Sequence, residues 1–282
     1  MSSCSEILRN PPKGHHFCQL HTTGKALDRA LRVYVMAGLQ KKETVAIFSN
    51  ADRLGMIRTC IADSGLDPEA LEAAGKLSLH DGSKTLEAFL STTDPDWTGF
   101  RRAIQNTLDA LATRGDHSGG KVIRIYGDMV NELWRKKRTE DAVQLEKLWN
   151  EILQDGNAPL FCGYEFDGLD PAAYRNPVNK IGYVHAEVAA TEEDELSVHA
   201  LDRACLEIIG FSLSAITRSS IFRASKNEPS LPALQQIVVW LERNLPMHTA
   251  EVLERARTHY SDAGLKRAFS PGDMRCAANQ PY

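Results

Sequence analysis

The chain has 282 residues, 43% of them hydrophobic, and a formal net charge of −4. That length and apolar content suit one large domain or one domain with an appendage, and the slight acidity supplies no global basic field to attract nucleic acid. No stretch reaches the roughly 18 apolar residues of a membrane span, the start of the chain lacks the apolar run of a secretory signal, and six cysteines without a CxxC pair suit reduced thiols, so the cytoplasm is the expected home.

Residues 1–14 read as a flexible lead and 16–21 as a strand. On that strand His16, Cys18 and Leu20 share one face, and Phe17, Gln19 and His21 share the other with the preceding His15. Leu27, Ala30, Leu31, Tyr34, Val35 and Gly38 make a helical stripe, and the basic pair Lys41 and Lys42 suits its C-terminus. Residues 44–48 read as a buried strand. Asn50 is a good N-cap for a helix over 52–64, which Gly65 breaks. Asp67 and Pro68 open a short helix, with Pro in its favoured first-turn place. A strand over 77–79 follows, then a helical stripe of Phe100, Ala103, Ile104, Thr107, Leu108 and Leu111. The loop 115–120 leads into a β-branched and aromatic strand over 122–126. Gly127 and Asp128 stop it. The helix over 141–153 places Val143, Leu145, Leu148, Trp149, Ile152 and Leu153 on one broad face and leaves Glu140, Asp141, Glu146, Lys147 and Glu151 mostly for solvent. Residues 159–164 form the next short strand.

Strands alternating with helices predict an α/β fold with a mostly parallel sheet covered on both faces. Ligands in such sheets bind at the carboxyl ends of the strands, which puts Ser49, Asn50, His80, Asp81, Gly82, Gly127 and Asp128 on one rim. After an acidic break at 191–195 the pattern turns helical, over 196–217, 231–245 and 249–260. Residues 196–269 read as a helical appendage and 270–282 as a frayed tail.

The segment GDMVNELW, followed by AVQLEKLWNEIL and LFCGYEFD, resembles the sensory domain of methanogens and methylotrophs called MEDS. HFCQLH at 16–21 resembles that family's opening strand, ALRVYVMAGLQKKETVAIFSNADRL at 30–54 its first helix, second strand and next helix start, and VHAEV at 184–188 a His-bearing strand near the domain end. The resemblance covers about 15–190, with His21 standing where the family has an aromatic residue. It implies a three-layer RecA-like sandwich, similar to KaiC, that has lost its nucleotide-binding loop, and it implies a sensory role.

A working phosphate loop needs GxxxxGK[ST]. Gly24 and Lys25 are present, but Gln19 stands at the first glycine and Ala26 at the hydroxyl residue, so 22–25 reads as an ordinary helix start capped by Thr22 or Thr23. Asp128 sits where a metal–nucleotide acid would sit and otherwise reads as a helix N-cap or turn carboxylate. His15, His16, Cys18 and His21 are metal-ligand types, but strand alternation keeps them from converging, and no metal is expected. Trp134 and Trp149 read as core anchors or as an aromatic wall for a ligand. Side-chain catalysis has no local motif, so the reading leans away from an enzyme without closing the question, and no cofactor is expected.

The sequence therefore predicts a sensory or signal-transduction protein. Its 15–190 domain would bind a small ligand, apolar or halogenated among the options, through His16, Gln19, Asn50, Asp128, Trp134 and His185. The helices of 196–269 would supply a docking surface for a protein partner or for self-association. Two alternatives stand beside it. One is an ATPase using Gly24, Lys25 and Asp128. The other is a regulator binding DNA through the C-terminal helices, where 240–269 vaguely resembles one helix-turn-helix of AraC-type proteins.

Overall fold

The computed structural model describes residues 4–90, 96–114, 122–154, 158–170, 173–174, 178–213 and 231–268. The loop expected at 115–120 and the tail expected at 270–282 lie outside the described residues. Six apolar runs pair into one parallel sheet: β1 (His16–His21), β2 (Thr44–Ser49), β3 (Leu77–Asp81), β4 (Ile123–Gly127), β5 (Leu160–Glu165) and β6 (Glu187–Ala189). Their order across the sheet is β3-β2-β4-β5-β1-β6. The expected fold class, α/β with a parallel sheet and C-terminal helices, is the one observed.

Alternation along each strand sends every second side chain to one face. Phe17, Val45, Ile47, Leu77, Tyr126 and Phe161 pack with Leu27, Leu31, Tyr34, Ile57 and Ile61, which come from α2 (Gly24–Gln40) and α3 (Ala51–Asp63). Phe17 and Phe161 stack with ring centroids 5.2 Å apart. The buried Tyr34 hydroxyl donates to the carbonyls of Ile125 and Pro159, each at 3.1 Å. Gly163 lets α2 come this close, because a Cβ there would lie 2.2 Å from Leu27 Cδ1.

The N-terminal residues that read as a flexible lead carry a helix, α1 (Cys4–Arg9), against α2. The reason lies 116 residues away: Arg124 donates from Nη1 to the carbonyls of Leu8 at 3.0 Å and Tyr34 at 2.9 Å, and its Nη2 pairs with Glu43 at 2.6 Å. The guanidinium satisfies the Leu8 carbonyl, one of those that the C-terminus of α1 leaves without a partner, and ties it to the middle of α2.

After α3, α4 (Pro68–Ala73) leads to β3, with Asp67 capping it as expected. On the second face lie α5 (Gly82–Leu90), α7 (Met129–Arg135), α8 (Thr139–Leu153) and α9 (Val178–Val184), with α6 (Trp97–Arg114) against α8. Trp149 of α8 is fully buried, edge-on to Phe48 with ring centroids 5.5 Å apart and packed over Gly127.

The chain folds as two units, 1–166 with 177–191, and 167–176 with 192–282. The second unit holds α10 (Glu192–Ile209), α11 (Ala233–Asn244) and α12 (Pro246–Ala268), whose core includes Leu201, Ala204, Ile237, Val238, Leu241, Val252 and Leu253. Segment 167–176, read in sequence as part of the sensory domain, belongs with these helices: Asp167 pairs with Arg257 at 2.6 Å. The acidic run read as a break is the first turn of α10, where carboxylates complement the helix dipole. Among the described residues no helix is long and apolar enough to cross a membrane.

Candidate functional site

The strand order creates a crevice between β2 and β4. The chain leaves β2 through α3 on one face of the sheet and continues to β3 at the edge. It leaves β4 through α7 and α8 on the other face and continues to β5, on the opposite side. Loops that part in opposite directions open a gap at the strand ends, the usual ligand position in open parallel sheets. A cleft of about 420 Å³ lies there, lined by Asn50, Ser83, Asp128, Asn131, Glu132, Arg135, Lys136 and Glu165.

Each polar group in the cleft is held by a neighbour. Asn50 caps α3, accepting from the Arg53 amide at 2.9 Å. Asp128 occupies the N-cap position of α7 but makes no capping hydrogen bond; its Oδ2 instead accepts from the Ser49 hydroxyl at 2.9 Å and from Arg53 Nη1. The N-cap reading of Asp128 thus holds for its position and fails for its side chain. Burial pushes its carboxyl pKa up, and the Arg53 charge pulls it back. Burial works against the Arg53 charge, and the Asp128 and Asp28 carboxylates outweigh it. Arg53 also donates from Nε to Asp28 at 2.7 Å and lies 3.7 Å from Glu165. Arg135 approaches the same Glu165 oxygen at 3.6 Å, and Glu132 accepts from Ser83 at 2.8 Å and Lys136 at 2.6 Å. Asn131 Oδ1 accepts from the Glu165 amide at 2.8 Å, tying α7 to the end of β5.

Of the six ligand-binding residues expected from sequence, the cleft brings together two, Asn50 and Asp128. Trp134 is buried edge-on against Tyr164, with centroids 5.9 Å apart, and packs as a core residue. Gln19 turns toward β6 and donates to the Ala190 carbonyl at 3.1 Å. His16 and His185 meet each other, ring centroids 4.4 Å apart, in a second, fully interior cluster with Glu146 and Cys162. His185 is not on a strand: α9 runs through Val184, and β6 begins only at Glu187. Glu146, expected to face solvent, is completely buried. Its place on α8 lies between Ala142, Trp149 and Leu153 at spacings of four, three and four, which put it on the inner face.

The start of α2 does not match the GxxxxGK[ST] pattern of a phosphate loop. Thr23 caps the helix by accepting from the Ala26 amide at 3.2 Å, as expected, and Lys25 is exposed. The Glu165 carboxylate stands over Gly24, 3.3 Å from where a Cβ would lie. A carboxylate at a helix N-terminus occupies the position that otherwise favours phosphate. Sequence reasoning missed Arg53 and Glu165, because their roles depend on pairing across three loops.

The sequence model of the MEDS domain, described as the methanogen/methylotroph, DcmR sensory domain, matches residues 15–179. No curated protein matches the chain. Among solved structures the chain is similar to a KaiC-like protein from the hyperthermophilic archaeon Pyrococcus horikoshii, with 19% identity and a TM-score of 0.39. The match covers 55% of this chain and 65% of that one, so it spans less than two thirds of the neighbour's length.

Proposed function

We propose that this chain, which belongs to the MEDS family of sensory domains, binds a small polar molecule in the β2/β4 cleft and relays its presence to the C-terminal helices. The observation that carries this reading is the cleft itself: about 420 Å³ at the divergence of the strand connections, walled by amides, a hydroxyl, carboxylates and two cations. Such a wall favours a molecule with an amine and hydroxyl or carboxyl groups. An apolar or halogenated compound would desolvate those groups and return no hydrogen bonds. A nucleotide would face the Glu165 carboxylate at the start of α2 and would find Ala26 where a metal-binding hydroxyl is needed.

The relay reading rests on chain connectivity. Glu165 ends β5, and segment 167–176, which groups with the C-terminal helices, follows one residue later. A ligand shifts such an equilibrium only by binding one conformer better than the other. Breaking the Arg53–Glu165–Arg135 contacts in favour of ligand contacts would supply that difference.

The test is a thermal-shift series on the full chain with ethanolamine, L-serine, glucosamine, glycerol, dichloromethane and Mg²⁺–ATP. A polar compound at about 100 times its Kd raises the melting temperature by roughly 5–10 °C, and Arg135→Ala, a change at an exposed position, reduces that shift. A shift with Mg²⁺–ATP that Lys25→Ala abolishes would replace this reading with a nucleotide site. A shift with dichloromethane alone would move the ligand to an apolar interior site.

A further inference from the structure

The interior cluster of His16, Glu146, Cys162 and His185 is separate from the cleft and is not used by the function proposed above. Its four side chains come from four segments: the start of β1, the middle of α8, the middle of β5 and the turn between α9 and β6. One donor atom from each lies within 4.8 Å of all the others. We propose that these four residues form a closed, tetrahedral binding site for one divalent transition-metal ion, with zinc as the ion the donor set suits best.

Distances carry the first part of the argument. Zinc bound at its usual bond lengths sets neighbouring donor atoms about 3.3–3.8 Å apart. Here His16 Nε2 lies 3.1 Å from Glu146 Oε2 and 3.4 Å from Cys162 Sγ. Cys162 Sγ lies 3.5 Å from Glu146 Oε2, and His185 Nε2 lies 3.2 Å from Glu146 Oε1. The donors are already spaced for a small ion at their centre.

The outer hydrogen bonds carry the second part. Asn150 donates from its amide nitrogen to the Val184 carbonyl at 2.7 Å, which fixes its amide orientation and turns Oδ1 to His16 Nδ1 at 2.8 Å. That ring nitrogen must therefore carry the proton. His185 Nδ1 lies 2.7 Å from the Ile181 carbonyl, an acceptor only, so it too carries the proton. With a metal ion bound and both rings neutral, each would present its Nε2 lone pair inward. Metal-bound histidines are oriented in this way, with the second nitrogen donating outward. Tyr164 supports the carboxylate by donating to Glu146 Oε1, the oxygen that also lies nearest His185 Nε2.

Charge supplies the third part. Without a metal ion, a proton must sit between the buried Glu146 carboxylate and an imidazole Nε2, and His185 Nε2, 3.2 Å from Glu146 Oε1, makes no well-formed hydrogen bond there. A buried polar atom without a well-formed hydrogen bond is costly. A divalent ion with one carboxylate, one thiolate and two neutral imidazoles makes the site electrically neutral, which suits complete burial. Binding releases the Cys162 thiol proton to solvent. All four positions are filled by protein, so the site is structural, with no open position for a substrate. It would clip the α9–β6 turn to β1, β5 and α8.

The experiment uses the full chain, purified without a histidine tag, and measures bound metal by mass spectrometry and the absorption of the cobalt-substituted protein. The expected result is about one zinc per chain and an intense tetrahedral cobalt spectrum with a thiolate charge-transfer band. Cys162→Ser removes that band. Asn150→Ala, outside the ligand set, weakens zinc affinity about 10–100-fold in chelator competition. A folded wild-type chain that carries no metal and gives no cobalt spectrum overturns the proposal and leaves a proton-shared His–Glu cluster. A cobalt spectrum that survives Cys162→Ser with its charge-transfer band intact overturns the ligand assignment. Neither result bears on ligand binding in the cleft.

Discussion

Replacing Arg53 by Met tests the pairing that shapes the cleft floor. Arg53 is 8% exposed and Asp128 5%, and the two are directly bonded. Met keeps most of the apolar stem and removes the guanidinium. Asp128 then has two options. It can stay ionised without its cation, which costs about 3–5 kcal/mol for a buried pair broken on one side. Or it can take a proton, whose cost at pH 7 is set by the distance to an unfolded pKa of about 3.9, roughly 4 kcal/mol. Both routes give a loss of about 4 kcal/mol at pH 7, with at most about 1 kcal/mol more from each partly exposed contact to Asp28 and Glu165. The pH dependence separates this from simple packing damage. In the variant the folded-state pKa of Asp128 lies above its unfolded value, so the native state holds a proton that the unfolded state lacks. The deficit therefore shrinks as pH falls, by at most about 1.4 kcal/mol per unit, because burial already holds wild-type Asp128 above the usual carboxylate range. Urea unfolding followed by tryptophan fluorescence at pH 5, 6 and 7 measures it. The double variant Arg53→Met/Asp128→Asn should recover about 2–3 kcal/mol at pH 7, because it removes the stranded charge. A deficit independent of pH, or losses that simply add in the double variant, would refute the reasoning.

Two further outcomes follow from buried charges elsewhere. Burial, helped by Arg29 and Arg53, lowers the His21 pKa to about 3. The stability that goes with its neutral form is complete above the unfolded value near 6.5 and is lost as pH falls toward 3, so His21→Phe should remove about 1.4 kcal/mol per pH unit from the acid-side slope between pH 6 and 4. An unchanged slope in urea unfolding would contradict this. Arg124→Met leaves the Leu8 and Tyr34 carbonyls without their guanidinium and should cost about 1–3 kcal/mol, with faster tryptic cleavage after Arg9 as α1 detaches. Cleavage at the wild-type rate would show that α1 is held by something else.

The sheet is legible in the sequence because its strands are short apolar runs between clear stops, and their alternation correctly separates the face of Phe17 from that of His16 and Cys18. The rim is legible for Asn50 and Asp128 because each directly follows a strand. What the Asp128 side chain does is not, since Arg53 reaches it from another helix and Glu165 joins from a third strand. The interior cluster is hidden for a similar reason. The ligand types within 15–21 cannot converge by alternation, whereas the structure takes one residue from that strand and three from far along the chain. Glu146 is betrayed by its spacing to Ala142, Trp149 and Leu153; residue type alone assigns it to solvent. Segment 167–176 shows no compositional break from the domain around it, so its grouping with the C-terminal helices emerges only from packing.

The central claim is that cleft occupancy is felt by the C-terminal helices. Hydrogen exchange of the full chain, with and without the polar compound that raises its melting temperature, tests this most directly. The account predicts slower exchange at 50–53, 128–132 and 165–166 together with altered exchange within α10 or α12. Protection confined to the cleft, with every amide of 192–268 unchanged, would contradict it and leave a binding domain that does not signal through these helices.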